Sequence, residues 1–222
     1  MFATFPRWVF VASLGLTCLF TRSAAADGLQ DDVDQAVSIL ADFEKIPEKS
    51  IPPDIIRAAK GLAILTVAKA GFIVSARGGK GLVIARTGHG WSGPSGIGTG
   101  GAGFGFQVGV EVTEFVIVLN TPEAVKAFSR EGNVTLGADV SVAVGPVGRT
   151  AGAAVTPLAA VYTYSRSAGA FAGISLEGTV IATRDGSNEE YYGRKVTPEQ
   201  ILSGEVKPPA GAAKLTETLA KY

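Results

Sequence analysis

The 222-residue chain is poor in the side chains that most catalytic and metal chemistry needs. It has one cysteine and one histidine, Cys18 and His89. Cys18 lies in the first 26 residues, and a chain cleaved after Ala26 has no thiol, which excludes disulfides and cysteine-ligated metal. A single histidine leaves any metal site to carboxylates. The clustered acids Asp31, Asp32 and Asp34 read as a solvated helix face instead. Charge is scarce as well: 18% of residues, with 20 basic and 20 acidic side chains in balance. Bulk attraction to nucleic acid or to an anionic surface is therefore not expected, and only a local patch supplies it. No Walker A sequence, no GxSxG elbow and no internal repeat is present. Nothing activates a particular serine, and the chain calls for no cofactor, no metal and no enzymatic activity.

Long hydrophobic runs are missing too. The longest candidate, 8–20, falls short of the ~20 residues a membrane span needs. With Arg7 before it and Ala24-Ala25-Ala26 after it, it has the pattern of a signal peptide over residues 1–26, which predicts export to a periplasmic or extracellular location, with peripheral membrane attachment left open. Read as a lipoprotein acylation site, Cys18 follows Gly15-Leu16-Thr17, a poor lipobox. Loss of Arg7 and Arg22 with the leader leaves 18 basic against 20 acidic residues, a net of −2.

What the chain does have is glycine in one place. Nearly half of its 29 glycines fall in 71–109, interleaved with Phe72, Ile73, Val74, Leu82, Val83, Ile84, Trp91, Phe104 and Phe106, which a solvated linker would not carry. The segment is expected to be folded. Residues 71–86 read as a hairpin turning at Arg77-Gly78-Gly79-Lys80-Gly81. Residues 104–112 alternate, with Phe104, Phe106, Val108, Val110 and Val112 on an expected core face and Gly105, Gln107, Gly109 and Glu111 opposite.

Around this stretch, Leu29, Val33, Ala36, Val37, Leu40 and Phe43 form the stripe of an amphipathic helix within 27–50. Pro52-Pro53 open a second helix, with Gly61 expected at its carboxyl cap. Residues 114–119 read as a strand buried on both faces. Thr121-Pro122-Glu123 signals a helix over 122–130. Strands are expected over 134–144, 158–165, 170–176 and 179–183, the last closed by an Asp185-Gly186 turn. Short helices are expected over 197–202 and 212–221, the latter in a helical tail, 207–222. The fold class is α+β: an antiparallel sandwich or barrel-like core flanked by N-terminal and C-terminal helices.

Gly98-Thr99-Gly100-Gly101-Ala102-Gly103 satisfies GxGxxG, but a strand and not a helix follows it, so the dinucleotide reading is weak. Glu111, Glu114 and Glu177 read as polar sheet-face residues. Asn133-Val134-Thr135 is a glycosylation sequon, meaningful in a eukaryotic host. The cations are more informative. Between Asp54 and Glu111 there is no acid, only Arg57, Lys60, Lys69, Arg77, Lys80 and Arg86. They read either as helix-end and loop charges or as an anionic-headgroup site.

Ile51-Pro52-Pro53, Lys60-Gly61-Leu62-Ala63-Ile64-Leu65, Lys69-Ala70-Gly71-Phe72, Ala76-Arg77-Gly78-Gly79, Trp91-Ser92-Gly93-Pro94-Ser95, Gln107-Val108-Gly109 and the run 111–120 resemble the SYLF domain. So do Leu136-Gly137, Gly145-Pro146-Val147-Gly148-Arg149 and the run 170–178. The resemblance covers 51–206. It implies a non-enzymatic protein that binds phosphoinositides and other anionic lipids at a membrane surface, with a protein partner, actin, in fungal and animal relatives. Lys60, Lys69, Arg77 and Arg86 occupy basic positions of the family pattern, with Lys80 less regular. The expected function is an exported lipid-binding protein, its headgroup site formed by Lys60, Lys69, Arg77, Lys80 and Arg86 with Phe72 and Trp91. The alternative is a protein-interaction or scaffold module related to actin-filament-binding domains.

Overall fold

The computed structural model describes residues 28–46, 50–71, 74–104, 109–130, 132–146, 159–169, 176 and 179–222. The expected leader with Cys18, the aromatic rings of Phe72 and Phe106, and the strand expected over 170–176, Leu176 excepted, lie outside the described residues.

Helix α1 (Leu29–Glu44) forms where the stripe predicts it, burying Leu29, Val33, Ala36, Ile39, Leu40 and Phe43 at helical spacing. Helix α2 (Pro53–Ala58) starts on a proline, whose missing N–H is no loss in a first turn. Strands β1 (Gly61–Gly71), β2 (Val74–Thr87), β3 (Gly90–Trp91), β4 (Ser95–Phe104) and β5 (Gly109–Leu119) follow. Helix α3 (Pro122–Ser129) is capped by Thr121, whose hydroxyl accepts from the Ala124 N–H at 3.1 Å. Then come β6 (Asn133–Thr135), β7 (Val142–Val144), β8 (Val161–Gly169) and β9 (Val180–Thr183). Helices α4 (Asp185–Tyr192), α5 (Pro198–Leu202) and α6 (Ala213–Leu219) close the chain, α5 inside a Thr197/Gln200 capping box.

The strands form one sheet in the order β6-β9-β4-β2-β1-β5-β8-β7, with β3 paired to β2. All pairs are antiparallel except β7 with β8. β6 and β7 sit at opposite edges yet are joined by the short segment 136–141. In a flat sheet the edges would be roughly 34 Å apart at the usual strand spacing, whereas the connecting chain spans at most about 25 Å. The sheet must curl. A bridge between Leu136 and Val140 sits at this junction, and the Gly137 N–H donates to the Val140 carbonyl at 2.8 Å. The result is a half-barrel, an α+β architecture with helices at both ends of the chain.

Curling gives the sheet two cores. Inside the curl, Ala63, Leu65, Val67, Val83, Phe115, Ile117 and Leu119 pack with Phe128 of α3, Val134, Ile181 and Leu202 of α5. On the outer face, Leu62, Ile64, Leu82, Ile84, Val116, Val118, Tyr162 and Tyr164 are covered by α1, α2 and α6. The expectation that 114–119 is buried on both faces holds from Phe115 to Leu119.

Several local expectations are corrected. Arg77-Gly78-Gly79-Lys80-Gly81 is not a turn but the middle of β2, paired on one side with β1 and on the other with β4. Two of its glycines are there for close approach: a Cβ at Gly79 would lie 2.7 Å from the Thr66 carbonyl, and one at Gly81 would strike the Ile64 carbonyl and the Leu65 backbone. Gly61 is no helix cap either; it opens β1, where a Cβ would lie 2.8 Å from the Ile84 carbonyl. Of the strand expected over 104–112, Phe104 is the last residue of β4, 105–108 lie outside the described residues and 109–112 open β5, where the faces are reversed. Val110 and Val112 are 64% and 39% exposed, while Glu111 is 3% exposed. The strand expected over 134–144 is two strands at opposite edges. Asp185-Gly186 begins α4 instead of closing a turn.

Replacing Gly81 with alanine should cost about 3 kcal/mol, because the obstructing atoms are backbone and neither strand can give way alone. Gly78→Ala, with nothing within 4 Å of its new methyl, should stay within about 0.5 kcal/mol of the parent. Urea midpoints of the two variants check the contrast.

Candidate functional site

On the outer face one register row crosses five strands: Gly98 of β4, Lys80 of β2, Thr66 of β1, Glu114 of β5 and Arg166 of β8. Helix α1 lies along this row and answers it polar group by polar group. Asp32 is buried and ion-paired with Arg184, which follows β9 and lies over Gly98, and its carboxylate is 3.7 Å from the Lys80 ammonium. The Gln35 amide donates to Glu114 Oε1 at 3.1 Å. Arg166 donates from Nε to Glu114 Oε2 at 2.9 Å and from Nη2 to Asp42 Oδ2 at 2.7 Å. Asp32 and Asp42 of α1 are therefore attachments, whereas Asp31 and Asp34 are exposed as the solvated-face expectation has them.

The attachments differ in character. Burial pushes the Asp32 carboxyl above the ordinary range, against the opposing pull of Arg184 and Lys80. Asp42 is held below that range, first by the Lys45 hydrogen bond and then by that of Arg166. Thr66 alone in the row lacks an answer: its hydroxyl is buried and has no hydrogen-bond partner among the described residues. It lines a cleft of about 390 Å³ between α1 and the sheet, with Asp31, Asp32 and Gln35 from α1, Lys80 opposite, and Ala36, Ile39 and Ile64 as apolar wall.

Beyond the row the sheet projects uncovered. Two further register rows, Gly100, Gly78, Ala68 and Val112, then Ala102, Ala76, Ala70 and Val110, present a smooth apolar surface, every residue of it exposed. Lys69 and Arg77 face each other across β1 and β2 at this end but on the inner face, in one row with buried Glu111. The Arg77 side chain lies over Gly101.

The sequence-predicted cations thus fall into three places. Lys60 and Arg86 are at the opposite end of the β1–β2 ribbon from Lys69 and Arg77, nine residues or about 30 Å away along the strand. Arg86 is engaged at the carboxyl end of α2, donating to the Ala59 and Ile56 carbonyls at 3.3 Å each, with its guanidinium 4.2 Å from the centre of the Trp91 ring. Trp91 itself is buried. Lys80 faces Asp32. Lys69 and Arg77 alone stand together at the uncovered end. His89 lies in the exposed turn between β2 and β3, and no group of His, Cys, Asp and Glu suited to a metal exists among the described residues. Sequence reasoning missed Glu114, Arg166, Arg184 and Thr66 as one constellation, because their alignment depends on register across strands far apart in the chain.

Comparison with known proteins gives concordant results. A family described as "Ysc84: Las17-binding protein actin regulator" matches residues 100–222. "LAS seventeen-binding protein 3" of Saccharomyces cerevisiae is 46% identical over 201 residues, 86% of this chain and 44% of the relative. "SH3 domain-containing YSC84-like protein 1" is 46% identical over 202 residues in Homo sapiens, covering 87% of this chain and 59% of the relative. The Xenopus laevis protein of that name is 47% identical over 203 residues, 87% and 61%. The chain spans about half the length of the curated relatives it matches.

The two ends of α1 should respond to pH with opposite sign. Asp42, with its depressed pKa, contributes stability that is present above the ordinary value of about 3.9 and is lost as pH falls through its folded pKa. Asp42→Asn should therefore flatten the acid limb of the urea midpoint against pH. Asp32, with its raised pKa, contributes stability present below about 3.9 and lost as pH rises through its folded pKa. Arg184→Met should raise that pKa further, steepen the loss on the rising-pH side, and cost about 3 kcal/mol at neutral pH.

Proposed function

The chain belongs to the Ysc84 (SYLF) family, and from that membership and the uncovered sheet end we propose that it is a non-catalytic module that docks on anionic lipid surfaces. The observation that carries this is the exposed apolar double row ending in Val110 and Val112, on a β-ribbon whose other face holds Lys69 and Arg77. Contiguous apolar surface of this kind is rare on a protein with nothing to bind. Small side chains make it smooth enough to lie in the boundary between headgroups and acyl chains, while the two cations reach phosphates beside it. Phosphoinositide-like headgroups are the chemistry those cations suit. The fit does not call for Arg86 or Trp91, which hold α2 to the sheet. Lys60, at the far pole, is outside this contact, and Lys80 serves α1.

Among the described residues no helix is long and apolar enough to cross a membrane, so attachment in this reading is peripheral. The proposed setting is outside the cytosol, on the lipid face an exported chain would meet. The matched relatives carry names that denote binding and adaptor proteins, which supports a role without catalysis. A protein partner is the second reading, favoured by the Las17-binding description of the family.

Flotation with phosphatidylserine or phosphatidylinositol phosphate vesicles should recover the protein, and neutral phosphatidylcholine vesicles should not. Lys69→Glu with Arg77→Glu should lower recovery by about tenfold, and Val110→Asp with Val112→Asp should do the same without altering the urea midpoint. Equal recovery on neutral vesicles, or no loss in either double variant, removes the proposal.

A further inference from the structure

We propose that the uncovered sheet end enters a membrane edge-on, with α1 as the stop that fixes its depth, and that its preferred partner is a convex, loosely packed anionic lipid surface. This inference rests on the membrane-docking reading and adds the geometry of the contact. The step between helix and bare sheet carries it. Helix α1 crosses the strands along the Lys80, Thr66 and Glu114 row, with its apolar stripe over Ile64 and Leu82. A helix with its side chains is about 10 Å thick, so the bare rows lie at the foot of a ledge of about that height. Asp31, Gln35 and Ser38, spaced i, i+4 and i+7 on one flank of α1, are all exposed. Asp31 and Gln35 border the cleft with Thr66 and Lys80 of the last covered row, so this flank faces the bare end. A bilayer lying flat on the sheet would take that flank into its hydrocarbon, where an ionised carboxylate is costly. Entry along the strands avoids the cost.

Distances along the strands suit that entry. From Lys80 to Ala76 in β2 the chain covers about 13 Å at the usual strand rise. The headgroup layer of one leaflet is roughly 5–8 Å deep. With α1 held at the water boundary, the row Ala102, Ala76, Ala70 and Val110 therefore passes the headgroups and reaches the acyl boundary. Lys69 and Arg77 are one residue nearer α1 on the opposite face, about 3 Å back along the strands, which sets their charges among the phosphates. Glu111 of the same row is buried and stays within the protein. The entering end is four strands across, about 14 Å between the outer two, and its exposed outer rows are glycine, alanine and valine. It fills the headgroup layer without penetrating far between the chains, so it spreads only the outer part of one leaflet. Such a shallow wedge is accommodated where headgroups already stand apart, on convex surfaces or over unsaturated chains. The small side chains of these rows provide no bulky anchor to force a tightly packed layer open.

Two measurements on the full chain test this. Flotation with vesicles of one phosphatidylserine/phosphatidylcholine composition, about 30 nm or about 200 nm across, should recover about fivefold more protein per unit of lipid surface on the small ones. In a Cys18→Ser background, which has no other thiol, an environment-sensitive fluorophore is attached at Ala76→Cys or at Ser38→Cys. On vesicles the Ala76→Cys label should shift to the blue and be quenched by lipids brominated on their acyl chains, while the Ser38→Cys label stays open to aqueous iodide. No recovery on vesicles of either size ends the docking reading and this inference with it. Recovery independent of size, or any other pattern of label protection, overturns the inference even though the protein docks.

Discussion

Where α1 stops covering the sheet decides which part of the sheet is left bare. The helix lies on the outer face with its apolar stripe over Leu62, Ile64, Leu82, Ile84, Val116 and Val118, and its polar edge over the row Lys80, Thr66, Glu114 and Arg166. Each buried aliphatic side chain in that contact is worth about 1.5–3 kcal/mol, so the stripe holds the helix down. The polar row adds position more than strength. Buried or half-buried ion pairs contribute little net energy, yet one that is broken leaves an uncompensated charge. A helix displaced by one turn would part Asp32 from Arg184 and Lys80, Gln35 from Glu114 and Asp42 from Arg166 together, while the Glu114–Arg166 pair on the sheet stayed intact. The boundary between covered and bare sheet is fixed by that penalty.

The bare end beyond the boundary is a consequence of curling. Strands β1, β2, β4 and β5 are each ten or more residues long, longer than the helices that cover them are wide. The edges meet through the link 136–141, so the inner core closes near α3 and the strands run on past it. Glycines at 79 and 81 allow β2 to follow β1 at a distance that side chains would not. Alanine and glycine beyond them leave a surface with little to hydrate. The same composition that lets the sheet coil thus produces its smooth apolar end.

Much of the fold was legible from local signals. Thr121-Pro122 and the Thr197/Gln200 pair mark α3 and α5 because capping is a matter of a few adjacent residues. The stripe of α1 and the doubly buried stretch of β5 were equally plain, as was the α+β class. The glycine cluster at 78–81 was misread because glycine in a turn and glycine under a close neighbour are the same letter, and only register tells them apart. Alternation over 104–112 gave the period but not its sign: which face is inside depends on the curl, and here Glu111 is inside and Val110 outside. Helix α4 carried no apolar stripe. It is held by Asn188, whose amide accepts from the Gly96 N–H at 2.7 Å and donates to Ser95 at 3.2 Å, partners more than ninety residues away that no local window contains.

The candidate site was the least legible part for the same reason. A one-signed run of cations in sequence became three separate environments, because a strand of eleven residues carries its ends to opposite poles. Arg86 and Lys80 found acceptors on elements that precede them in the chain, α2 and α1, and those acceptors were invisible as partners until the sheet register was known. Lys69 and Arg77 stayed together because they are directly opposed across one strand pair. Two like charges so placed repel unless something between them answers, and buried Glu111 in the same row supplies one negative charge for the two. Among the described residues the row holds two cations and one anion, at the end of the β1–β2 ribbon that the described helices leave bare. The proposed docking therefore rests on that coincidence of charge and bare apolar surface, and not on the length of the basic run.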